Sequence, residues 1–133
     1  MTKKQKYYAQ TTRVPVSQTK SEIEKLVLEH GAISFAFMMH QGVISVAFSL
    51  NDRNILFKLP IPDDPQEERA RWRCLLMTIK SKFESAKAGI ETFEEAFLPQ
   101  TVMPTGETVA EATLPVIESH YRGGTSVPLL PSA

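Results

Sequence analysis

Between Ala32 and Leu59 apolar side chains recur at every second position, the period of a strand with one covered face. Ala32 to Met39 puts Ile33, Phe35, Phe37 and Met39 on one side, and Gln41-Gly42 makes a turn. Val43 to Leu50 then sets Ile44, Val46, Phe48 and Leu50 against the smaller Val43, Ser45, Ala47 and Ser49. A second turn at Asn51-Asp52 leads to Arg53 to Leu59, with Ile55, Phe57 and Leu59 on one side, and Pro60-Ile61-Pro62 removes the donors that a further strand residue needs. The prediction is a three-stranded antiparallel meander flanked by stretches of helical period. The first helix is expected from about Ser17 or Thr19 to His30, with a capping box from Thr19 and Glu22 or from Ser21 and Glu24, an apolar face of Ile23, Leu26 and Val27, and Gly31 as its stop. The second starts at Asp64-Pro65-Gln66-Glu67, a capping aspartate followed by proline at the first helical position. It places Trp72, Leu75, Leu76, Ile79, Phe83 and Ala86 on one face and ends at Gly89.

The back of that long helix (Cys74, Met77, Thr78, Ser81, Ser85, Ala88) is small and nearly neutral, where a solvated face carries lysine and glutamate. A cover is therefore expected: the capped segment Thr92 to Leu98 in the same chain, or a second copy of the chain. After Pro99, Thr101 to Val109 reads as an extended pair turning at Pro104-Thr105-Gly106, and Thr108 with Glu111 caps a last helix that Pro115 restarts or kinks. The fold class expected is α+β, one sheet layer from 32 to 59 covered by helices at 17 to 30 and 65 to 88, with short C-terminal helices. Residues 1–16 form a basic flexible arm, 17–122 a single domain, and 123–133 an apolar proline-rich tail. Double-stranded RNA-binding domains share the order helix, three strands, helix. The lysines they place at the start of the second helix are replaced here by Asp64, Glu67 and Glu68, so that function is not carried over.

Composition narrows the function more than it names it. In 133 residues, 42% of them hydrophobic, one compact domain is expected and a second does not fit. Fifteen basic and fifteen acidic side chains cancel, which argues against non-specific coating of nucleic acid. No apolar run approaches the roughly 18 residues of a membrane helix, and the lysine-rich start has no apolar segment behind it, so a cytoplasmic location without membrane contact is expected. One cysteine, Cys74, excludes an internal disulfide and a cysteine-based zinc site. His30, His40 and His120 are isolated from one another, and Asp63, Asp64, Glu91, Glu94 and Glu95 have capping roles, so neither a catalytic set nor a metal or cofactor site is read and no enzymatic activity is expected. What remains is cationic: Arg69, Arg71, Arg73, Lys80 and Lys82 on the long helix, joined by Lys3, Lys4, Lys6, Tyr7 and Tyr8 of the arm. Guanidinium groups hold phosphate bidentately and aromatic rings stack on bases, the means to hold a nucleotide. Trp72 lies at the centre of the apolar face and is read as core, with arginine stems around it.

The stretch Arg71-Trp72-Arg73, Leu75, Ile79-Lys80, Lys82, Gly89-Ile90, Thr92-Phe93-Glu94-Glu95 and Phe97-Leu98 resembles a family of small uncharacterised accessory proteins of bacteriophages and prophages. Val14 to Ser17, Glu22-Ile23-Glu24 and Gly31-Ala32 extend the resemblance at the start, and Thr108 to Glu111, Tyr121 and Pro128 to Pro131 at the end. It departs at Phe83, where the family has leucine, at Ala96, and at Ala112-Thr113, where a family tryptophan is missing. The resemblance implies a phage-accessory setting in the host cytoplasm and no reaction. The function expected is a non-catalytic binding protein that sequesters a phosphate-bearing nucleotide signal of host defence. The alternatives are a single-stranded nucleic-acid accessory of phage replication or recombination, and direct inhibition of a host protein through the acidic 91 to 111 segment or the apolar tail. A homodimer joined at the neutral back of the long helix is expected as well.

Overall fold

The computed structural model describes residues 6–124 and 126–131. Helix α1 (Val16–Glu29) is followed by strands β1 (Ser34–His40), β2 (Val43–Leu50) and β3 (Arg53–Pro60). Then come α2 (Pro65–Lys87), the short α3 (Phe93–Ala96), a 3₁₀ turn (Leu98–Gln100) and α4 (Val109–Arg122). The strands form one antiparallel sheet in the order β1-β2-β3, so the architecture is the α+β meander with flanking helices that the periodicity predicts. Both turns are two residues long with left-handed backbone, at Gln41 (φ 50°) and Gly42 (75°) and at Asn51 (52°) and Asp52 (59°). That geometry matches the twist of the strands it joins.

The core lies between the inner face of the sheet and the two long helices. Ile44, Val46, Phe48 and Leu50 of β2 and Ile55 and Phe57 of β3 are buried against Ile23 and Val27 of α1 and Trp72, Leu75, Ile79 and Phe83 of α2. Trp72 is 1% exposed and meets Phe37 edge-on at 5.5 Å, so it is core. Phe97, fully buried, is the hub of the other end: its ring contacts Phe48, Phe57, Phe83 and Phe93. It pulls the chain after α2 back onto the sheet.

Four details differ from the expectation. Helix α1 begins at Val16 with no side-chain cap, because Thr19 is fully buried and its hydroxyl accepts from Arg73 of α2 instead of capping. In β1 only Phe35 and Phe37 are half-buried, while Ile33 and Met39 are 85% and 69% exposed, since the helices cover this strand only near its middle. The back of α2 is not covered by the segment Thr92 to Leu98, whose phenylalanines pack on the apolar face around Phe83. The N-terminal arm touches that back instead, where the Cys74 thiol donates to the Tyr8 carbonyl at 2.9 Å, and Met77 stays exposed. Finally, α4 runs through Pro115 without a break.

The chain after α3 also finishes one side of the sheet. Thr101 bridges Ile55, Val102 N–H donates to the Asn54 carbonyl at 2.8 Å, and Val102 pairs in turn with Thr108. The other side, β1, has no such neighbour among the described residues.

Candidate functional site

At 100° per residue Arg69, Arg73 and Lys80 point from α2 toward α1, and Arg71 and Lys82 point to the opposite flank. Their partners follow that division. Arg73 pairs with Glu22 of α1, and with Lys25 and Lys80 it borders an open groove of about 340 Å³ that Glu22 and Glu29 share. Arg71 pairs with Glu67 at 3.1 Å. Lys82 donates to the Ala96 carbonyl at 2.8 Å and lies 5.9 Å from the centre of the Phe97 ring, tying α3 to α2. Arg71 and Lys82 are thus held by local structure, away from the other three.

Arg69 is joined by a residue outside the predicted set. Gln66 accepts from the Arg69 guanidinium and donates to the carbonyls of Gln10 and Thr12 at 3.1 and 2.7 Å, which fixes the arm across the first turns of α2. Arg13 and Arg69 then border one cleft of about 450 Å³, with Glu68 its acidic side chain. Tyr7 and Tyr8 are 37% and 55% exposed beside it in sequence, and Lys3 and Lys4 lie outside the described residues. The basic run of the arm was a signal for Arg13; nothing local marks Gln66 as the residue that pins it.

Helix α4 is built differently from the other two long helices: none of its fourteen residues is buried. Among the described residues only its start is fastened. Thr108 and Glu111 form a complete capping box, Val109 N–H donates to the Thr101 carbonyl at 2.9 Å, and Lys58 of β3 donates to Glu111 at 3.0 Å. These contacts hold the Glu111 carboxyl at about 2, the Thr108 N–H contributing most and Lys58 next. Beyond this latch Leu114, Ile117 and Tyr121 fall on one stripe at i, i+3 and i+7, exposed by 60%, 48% and 65%. Leu129 and Leu130 follow, still more exposed.

Reactive groups are sparse. Burial pushes the Cys74 thiol up, away from the thiolate a nucleophile needs. His30 stacks on Phe83 at 4.0 Å with Nδ1 2.8 Å from the Leu26 carbonyl, so it carries a proton there and closes α1. The Thr92 N–H lowers the Glu95 carboxyl in the second capping box. Among the described residues no three histidine, cysteine or acidic side chains gather as a metal site, and no helix is long and apolar enough to cross a membrane.

Comparison with known proteins gives no match to a family profile, to a curated sequence or to a solved structure.

Proposed function

We propose that this chain is a non-catalytic binding protein that engages another protein through α4 and the apolar residues after it. In the phage setting its resemblance implies, that partner is a protein of the host cytoplasm, and binding alone alters the partner's activity. The observation that supports this reading most is a fourteen-residue helix with no buried residue, fastened at one end and showing Leu114, Ile117 and Tyr121 to solvent. Burying such side chains in a partner's groove returns about 1–2 kcal/mol each at their present exposure. Anchors at i, i+3 and i+7 are the spacing by which an amphipathic helix fills a groove. A Leu114→Glu, Ile117→Glu variant tests it. It should keep the wild-type circular dichroism and melting temperature, yet lose whatever host protein the immobilised wild type retains. Equal retention by both proteins, or none by either, would overturn the reading.

A phosphate-bearing ligand is the second reading, favoured by the two guanidinium groups of Arg13 and Arg69 at one cleft beside the Tyr7-Tyr8 arm. Calorimetry against cyclic and adenine-containing nucleotides, with Arg69→Ala as control, should show binding that the variant loses; silence across the panel counts against it.

A further inference from the structure

The turn between β1 and β2 has two residues, so His40 and Val43 close it as a hydrogen-bonded pair. Alternation along the strand then directs the N–H and C=O groups of Ser34, Ala36 and Met38 toward β2, and those of Phe35, Phe37 and Met39 toward the open side. From Ala32 to Met39 there is no charged residue and no proline, and Met38 and Met39 are 64% and 69% exposed. An uncharged edge of seven residues is what soluble proteins otherwise blunt with lysine or proline. Lys20 of α1 lies 5.5 Å from the Phe37 centroid and 5.3 Å from that of Trp72, over the inner side of the sheet.

We infer that β1 pairs with β1 of a second copy, antiparallel about a two-fold axis at Phe37, to give a continuous six-stranded sheet. This register uses all three outward N–H and C=O groups of each strand, six bonds in total. It sets Phe35 opposite the partner copy's Met39 and small Ala36 opposite Met38. A one-pair shift either way loses two of the bonds. Met38 and Met39, 64% and 69% exposed, supply most of the apolar area the pairing covers, because Phe35 and Phe37 are already half-buried in their own chain. The contact is therefore a weak one, below the roughly 1,000 Å² of a stable complex and held chiefly by its main-chain bonds. No like charges oppose one another along the strand. The inference is independent of the role proposed for α4, which springs from the far side of the sheet and stays free in both copies.

Light scattering from about 1 to 200 μM should show the mass rising from one chain to two. Met39→Lys, at an exposed position whose N–H faces outward, should raise the dissociation constant by about tenfold or more with an unchanged melt of the dilute protein. A cross-link reads the register. In a Cys74→Ser background, Ala36→Cys and Met38→Cys chains should form a disulfide dimer under mild oxidation when mixed, and neither should when alone, because position 36 faces position 38 of the other copy. A chain that stays monomeric at 200 μM overturns the inference. So does a dimer indifferent to Met39→Lys, or one whose Ala36→Cys chains cross-link with themselves.

Discussion

β3 and β1 are the two edge strands of one small sheet, and they are finished in opposite ways. Along β3 the Asn54 carbonyl is bonded by Val102, Ile55 is bridged by Thr101, Arg53 and Lys58 meet Glu94 and Glu111, and Pro60 ends the strand. Along β1 the described residues supply no bridge, no charge and no proline. The difference comes from the path of the chain around each strand. The segment after α2 folds back over β3, anchored by Phe97, whereas the residues before β1 turn away at Gly31 into α1. An edge is protected here by a long-range return of the chain, and β1 has none.

Breaking the anchor of the covered edge should have the largest effect. Phe97→Ala removes a fully buried ring that touches four other phenylalanines, and should cost about 3–5 kcal/mol in urea unfolding. A loss under 1 kcal/mol would mean that the segment from Thr92 to Thr108 is held by something else. Next comes Thr108→Ala, at a residue 6% exposed whose hydroxyl accepts from Glu111 N–H, expected to cost about 1 kcal/mol and to loosen α4 before the sheet.

Acid should act on the same latch without unfolding the core. Because the Glu111 carboxyl sits at about 2 when folded, against an ordinary 4.5, the contacts that hold it stabilise α4 fully above pH 4.5. That contribution is lost as the pH falls toward 2. Amide exchange at Thr108 and Glu111, corrected for intrinsic rates, should quicken over that window, and Lys58→Met should begin the change at higher pH; a flat profile would refute the latch. The smallest effect belongs to the bare edge. Met39→Lys should shift the stability of the dilute chain by no more than about 0.5 kcal/mol, as befits a side chain in solvent, and a shift above 2 would show that β1 is covered after all.

The parts of this arrangement that depend on neighbouring residues were readable in the sequence, and those that depend on distant ones were not. Period-two alternation marked all three strands, since the pleat itself imposes it, and the Thr92–Glu95 and Thr108–Glu111 boxes were readable because a cap involves four residues. The pattern Thr19-x-x-Glu22 looks the same, but both side chains answer to Arg73, more than fifty positions away. The candidate cations were found by type and spacing, yet sequence does not show that Glu67 and Glu22 hold two of them or that Gln66 swings the arm toward Arg69. The apolar stripe of α4 went unread beyond its cap and Pro115; that no described residue buries it is a property of the whole fold.

Trp72, the only tryptophan, is packed where α1, β1 and α2 meet, with the Lys20 ammonium 5.3 Å from its ring. Excited with ultraviolet light, the chain therefore has one emitting indole, shielded from water beside a fixed positive charge, and its colour reports on that end of the core alone. Events at α4, some strands away, should be silent in this channel, while strand pairing at Phe37, whose ring touches the indole edge-on, should alter it. The fold thus carries an intrinsic optical probe that separates its two surfaces without any label.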